Sequence, residues 1–437
     1  MPSQLNAPMI RLSSAAAIVA VACAAAHPAS AQLPSASAVA LGSGDNYTAL
    51  ARGYNAVAWN PAGLAMPGNP GFSLTILPVR GSGGLGPVTV SDVANFSGTT
   101  IPDDVKASWL ERIAAAGGER GSADFDATHL AFSLGRMGVQ VATGAHVASN
   151  ISPDGAELLL YGNAGRTGEP RPFTLSGSTL DLTVTSTVGV SYAQPLPIRF
   201  GGAADQRFAV GATVKYTVGN AVMHAEDRGS VLQDSPLGAN VDFPMVSSKA
   251  DLSAWNNGTG VGLDLGASWQ GGPLAAGLAV QDVFNTFAWD ASRLYYRSGR
   301  ALANLDSTTS DFDERPVAEA PVGLADAVTA LRYHPALALG VAMRAGSRLT
   351  LSGDVRQHFG DGMNAEPKTH VGAGVEFRPI GLLPLRAGAA AITGGYQLSG
   401  GFGLQLGWFN LSASAARRRS DLNDGVIGAF ALSFGTR

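Results

Sequence analysis

The sequence predicts an all-β chain folded as a transmembrane antiparallel β-barrel of about 14 strands. Three observations predict it. Between Asp181 and Tyr192, Leu182, Val184, Val188, Val190 and Tyr192 alternate with Asp181, Thr183, Thr185, Thr187, Gly189 and Ser191. Successive side chains of a strand point to opposite faces, so this segment is a strand with two different neighbours, and it is longer than a typical globular strand. The same alternation recurs through the rest of the chain. Finally, the polar faces carry Gly, Ala, Ser and Thr with scattered charges, where the outer face of a soluble sandwich would carry Lys and Glu.

Composition agrees. Of 437 residues, 56 are glycine and 14% are charged, a Gly-rich and charge-poor chain too well patterned for disorder. Beyond the N-terminus no apolar run reaches about 18 residues, so no helical span is expected, which leaves a barrel open. A net charge of −4 argues against nucleic acid as a partner. Residues 1–31 read as a secretory signal: Arg11 precedes an apolar stretch from Leu12 to Ala26, and Ala29-Ser30-Ala31 fits a cleavage site. Cleavage there would remove Cys23, the only cysteine, leaving no disulfide or thiol chemistry. Barrel strands behind an export signal point to the bacterial outer membrane and its lipid.

Residues 32–70 are small and polar, with no alternation; a short helix or turns fit Tyr47–Val57, and Asn60-Pro61 with Gly63 predicts a tight turn. From Gly71 the strands begin, with Phe72, Leu74 and Ile76 against Ser73 and Thr75. Residues 81–100 read as a Gly/Ser/Thr-rich loop, and Pro102 opens one short loop helix to about Ala116. Short turns such as Met343–Arg348 and Asp421–Gly425 predict hairpins, while polar insertions at 219–248 and 290–334 predict long loops at the other end. The last strand, Ile427–Phe434, puts Phe430, Leu432 and Phe434 on one face.

Chemistry-bearing motifs are sparse. Gly81–Gly86 matches G-x-G-x-x-G, but Pro87 and a β-branched run follow where a dinucleotide-binding helix would start. Phosphate-loop, zincin and hydrolase signatures are missing, and the seven histidines show no ligand spacing, so neither cofactor, metal nor enzymatic activity is expected. The acidic loop Asp306–Glu314 reads as solvated, and Asp421–Gly425 as an Asp-Gly turn, because the position of a bidentate calcium glutamate is Leu432. The polar-face charges Arg207, Lys215, Asp264, Arg344, Asp354, Arg356, Glu376 and Arg378 are the candidate lumen residues. They are expected to pair with one another or to line a substrate path.

The segment Ala49–Ala65, with Trp59, Asn60, Pro61, Ala62, Gly63 and Leu64 at its centre, resembles the N-terminal region of FadL-like outer-membrane proteins. Trp59 before Asn-Pro-Ala-Gly-Leu looks closest in style to their PorV-type branch. Val371–Phe377, Pro384–Gly388 and Ser399–Leu404 are similar in style too. The resemblance implies that residues 32–70 plug a barrel made by residues 71–437, with Trp59–Leu64 as gating candidates. It implies passive, plug-gated transport of hydrophobic small molecules, or, as in the PorV-type branch, secretion or surface attachment of an exported protein. A small-residue inner face leaves room for a plug or a bulky apolar cargo; ion-selective pores are lined more heavily with charge.

Overall fold

The structure is a computed structural model describing residues 33–199, 205–234, 237–249, 255–304, 307–360, 363, 366–420 and 424–436. The proposed export signal lies outside the described residues, as do Asp306 and the tip of the Asp421–Gly425 turn. Fourteen antiparallel staves form one sheet that closes on itself. The first, β1, has two halves, Phe72–Ile76 and Val79–Gly86. Then come β2 Glu119–Leu134, β3 Met137–Ile151, β4 Thr179–Leu196, β5 Gln206–Glu226, β6 Gly258–Gly271 and β7 Leu274–Asn285. They are followed by β8 Ala336–Ala345, β9 Leu349–His358, β10 Thr369–Phe377, β11 Leu385–Ile392, β12 Gly395–Leu406, β13 Phe409–Ser420 and β14 Asp424–Gly435. Each pairs with the next, and β1 closes on β14 with Thr75 opposite Ser433 and Gly81 opposite Gly428. A closed sheet leaves no unpaired backbone edge, the condition for a β-structure in hydrocarbon.

The alternation read from the sequence maps onto inside and outside. On β4, Thr183, Thr185, Thr187 and Ser191 are buried, whereas Val188, Val190 and Tyr192 are exposed. Leu339 and Val341 on β8, Phe402 on β12 and Val426 and Phe430 on β14 are likewise exposed on the outer surface. At the short-turn end Trp408 stacks against Phe434, the start of an aromatic rim. Such an exterior suits acyl chains rather than water. Val341→Arg, with Val341 62% exposed in the middle of its strand, is therefore expected to destabilise the barrel in vesicles by about 2–4 kcal/mol. The shift in its urea midpoint relative to the parent checks this.

Several sequence expectations need correction. Gly81–Gly86 is a strand, not a loop: its backbone pairs with both β2 and β14, and glycines on both faces leave no alternation to read. Residues 219–226 continue β5 and do not belong to a loop. The rim holds four helices of five residues or more, Val90–Ala94, Asp103–Ala116, Pro153–Tyr161 and Leu324–Ala330, where one was expected. The long insertions also build a separate five-stranded sheet from Phe173–Thr174, Val231–Asp234, Leu237–Asp242, Arg300–Asn304 and Thr308–Asp311. The acidic stretch expected as a loop thus contains an edge strand. Helix Pro153–Tyr161 is capped by Ser152 and tied to this sheet's root by Arg171, whose hydrogen bonds hold the Asp154 carboxyl below the usual carboxylate range.

Two irregularities bear on the lumen. Leu77 takes a left-handed backbone (φ 52°) where β1 breaks, and the ladder between β2 and β3 shifts register at Thr128/Leu130 nearby. Between β6 and β7 the register jumps from Leu263–Phe284 to Leu265–Val280, so three residues of β7 oppose Asp264. Asp282, at the centre of that bulge, also has a positive φ of 57°.

Candidate functional site

Residues 33–70 lie inside the barrel, because their partners lie on staves all around its circumference. The Pro34 carbonyl accepts from Gln140 of β3 (2.7 Å), Val57 from Thr213 of β5 (3.2 Å), Ala58 from Gln281 of β7 (2.8 Å) and Ala38 from Ser414 of β13 (2.6 Å). Arg80 of β1 grips Asp45 with two hydrogen bonds of 2.9 and 3.1 Å, and Gln397 of β12 adds a third at 3.0 Å. The small inner face now has a cause. A methyl added at Gly211 would lie 2.6 Å from the Ala62 nitrogen, and one at Gly388 would overlap Gly44. Glycine there lets the two backbones touch.

The Trp59–Leu64 candidates form one anchor. Asn60 is wholly buried, and its Nδ2 donates to the carbonyls of Thr48 (3.2 Å) and Ala267 (3.2 Å) and to Ser268 Oγ (3.1 Å). Its Oδ1 accepts from the Ala62 amide and so caps the 3₁₀ turn that Pro61 opens, Pro having no N–H to leave unpaired at that position. Ala62 is packed against Ala209, and Leu64 sits with Leu33, Val57 and Trp59 in an apolar cluster. Gly63 passes so close to the Ala51 carbonyl that no side chain fits. Trp59 donates to Ser35 Oγ (2.7 Å), meets Tyr47 edge-on and lies 4.8 Å beneath the Arg356 guanidinium.

The lumen candidates divide. Asp354 Oδ2 accepts from the backbone amides of Tyr47 (3.0 Å) and Thr48 (2.9 Å), while its own amide donates to Asn46 (3.2 Å). Arg356 donates to the Asp45 carbonyl (2.8 Å). Lys215, fully buried, sits 2.6 Å from Asp264 and also pairs with Asp282, whose amide donates to Asp264 (2.7 Å). Glu376 bridges Arg378 and Arg386, each at 2.8 Å. Arg207 and Arg344 are not lumen-buried: their parity points inward, but they sit at the short-turn end, where the wall runs out, and are exposed. Pairing is thus the rule for the rest, much of it with the N-terminal segment.

Above that segment lies a chamber with a cavity volume of about 90 Å³. Leu33, Ser35, Asp45, Thr48 and Trp59 form its floor, and Tyr333, Met363 and Glu366 from the rim loops close its roof. The roof rests on an apolar core of Val222, Val246, Phe287, Trp289, Leu324 and Val328. Its fixings to the wall are a 2.6 Å hydrogen bond between Tyr333 and Thr185 and one from Thr183 to the Met363 carbonyl (3.3 Å). Asp124, paired with His146 (2.7 Å), and Asp126 line one side; Arg80 and Arg418 line it too. The sequence reading missed Asp45, Arg80, Asp124, Asp126 and Arg418. Extending the alternation back from Leu130 would have put Asp124 and Asp126 on the outer face, because the register shift at Thr128/Leu130 reverses the parity; nothing in the sequence marks Asp45. Among the described residues no group of His, Cys, Asp and Glu is arranged to hold a metal ion.

These features define the class: a closed 14-stranded transmembrane-type barrel, apolar outside, with an N-terminal segment bound in its lumen, the fold implied by the FadL-like resemblance. A family of unknown function (DUF5723) matches residues 81–284, and no curated protein matches the chain. Solved structures similar in fold include the toluene transporter TbuX of Ralstonia pickettii, with 13% identity and a TM-score of 0.48 over 91% of this chain and 98% of that one. A Pseudomonas aeruginosa FadL homologue has 10% identity and a TM-score of 0.48 over 94% and 100% of the two chains. The toluene transporter TodX of P. putida has 12% identity and a TM-score of 0.45 over 92% and 98%. Their cargoes are properties of those proteins.

Proposed function

We propose that this protein is an outer-membrane conduit for small, largely apolar molecules, opened by displacement of the segment around Ala49–Leu64. One observation carries the reading: a chamber lies between a lumen-bound N-terminal segment and rim-loop residues, so a passenger would have to pass both in turn. The outer belt of aliphatic side chains supports a place in lipid, and the closed sheet supports passage through the lumen rather than along an edge. Trp59 is part of the floor, and Asn60 and Asp354 are the anchoring groups whose release would let it move. In vesicles, deleting residues 45–66 is expected to speed uptake of a hydrophobic dye well above that of the intact barrel; equal uptake would remove the proposal.

A PorV-like role in secretion or attachment has one specific support, the rim sheet, whose outer strand Thr308–Asp311 is exposed and pairs on one side only. A pull-down on intact barrels that retains an exported protein, and loses it when residues 290–334 are trimmed, would favour that role.

A further inference from the structure

The charged groups of the chamber are engaged, with one exception. Asp45 is held by Arg80 and Gln397, Arg356 is turned onto the Asp45 carbonyl and the Trp59 ring, and Arg418 donates to Gln397. Asp124 accepts from Ser82 (2.9 Å) and is paired with His146, and Glu366 faces His358 at 3.4 Å. Asp126 faces the same space and makes no hydrogen bond or ion pair among the described residues. The lining has four carboxylates, Asp45, Asp124, Asp126 and Glu366, three guanidiniums, Arg80, Arg356 and Arg418, and the imidazole of His146 on Asp124. Asp126 is the carboxylate of this set with no cation within hydrogen-bond reach, and a cation brought into the same space would be drawn to it. The same lining includes apolar and aromatic groups, Leu33, Trp59 and Met363.

We propose that the chamber is a binding site for an organic cation, an ammonium group carried on a compact apolar body. The ammonium would sit on the free Asp126 carboxylate, and the body against Trp59, Leu33 and Met363. A neutral hydrocarbon would leave Asp126 without a hydrogen-bonded partner, and an organic anion would be repelled by that carboxylate; the guanidiniums that could receive it already hold Asp45, Trp59 and Gln397. This inference rests on reading the chamber as the place a passenger occupies, and it names that passenger's chemistry.

Isothermal titration of the intact barrel in detergent near neutral pH, with phenethylammonium, phenethyl alcohol and phenylacetate as probes, tests it. The amine is expected to bind about tenfold tighter than the alcohol, the discrimination a hydrogen-bonded charge supplies, and phenylacetate weakest of the three. Asp126→Asn should bring the amine down to the alcohol while leaving the alcohol unchanged; Asp313→Asn on the rim should alter neither. Equal binding of amine and alcohol by the parent, or preference for phenylacetate, would overturn the assignment without reliance on any variant. Binding is read on a closed barrel. A protein that takes up the amine yet gives equal flux with and without residues 45–66 loses the conduit and keeps the site. One that conducts but treats the probes alike keeps the conduit and loses the site.

Discussion

Asp354→Ala is expected to loosen the lumen segment and give reconstituted barrels conductance bursts that the parent lacks. The carboxylate receives two buried backbone amides, those of Tyr47 and Thr48, from a segment more than 300 positions earlier in the chain. Alanine strands both donors inside the packed lumen. Each stranded donor costs roughly 1–3 kcal/mol, so the bound state of the segment should weaken by about 3 kcal/mol, a shift of some hundredfold in its open population. Hydrogen exchange at Tyr47 and Thr48 should accelerate in step. Asp354→Asn keeps one acceptor oxygen and should fall between the two. If the alanine variant exchanges and conducts like the parent, Asp354 does not hold the segment.

Lys215→Met is expected to have the largest effect on the barrel itself. The ammonium is completely buried between Asp264 and Asp282 at the point where the ladder between β6 and β7 is interrupted. Removing it leaves two carboxylates facing one another in place of a paired cluster, a change that costs about 3–5 kcal/mol. Thermal unfolding in detergent should begin well below that of the parent. The companion test is the triple variant Lys215→Met, Asp264→Asn, Asp282→Asn, which removes all three charges together and should recover most of the loss. Failure of the triple variant to recover would mean that the bulge needs these groups for shape and not for charge balance. Gln281, next to the cluster, donates to the Ala58 carbonyl, so the single variant should also speed exchange in the lumen segment.

What could be read from the sequence follows a physical divide. Lipid and a crowded lumen make opposite demands on alternate residues, so long strands such as Thr179–Leu196 announce themselves and show which side faces out. The second half of β1 could not be read in this way. Gly81, Gly83, Gly84 and Gly86 interrupt it with positions that carry no side chain on either face, so no alternation survives to be read. Parity likewise gives one direction for Lys215, Asp264 and Asp354, which are buried, and for Arg207 and Arg344, which are exposed, because it says which way a residue points and not how far along the barrel it stands. Asp282 was invisible for the reverse reason: the bulge takes it out of register. Asn60 was legible as a turn residue, but its role as anchor depends on Thr48, Ala267 and Ser268, which only folding brings together.

The lumen segment precedes every stave, while β1 is sealed by β14, the last. Bonds such as those from Tyr47 and Thr48 to Asp354 span most of the chain, and contacts of that range form late and slowly. The order of synthesis and the order of consolidation are therefore opposed. The part of the chain made first waits longest for its partners, and until the seam between β1 and β14 is made, nothing encloses it.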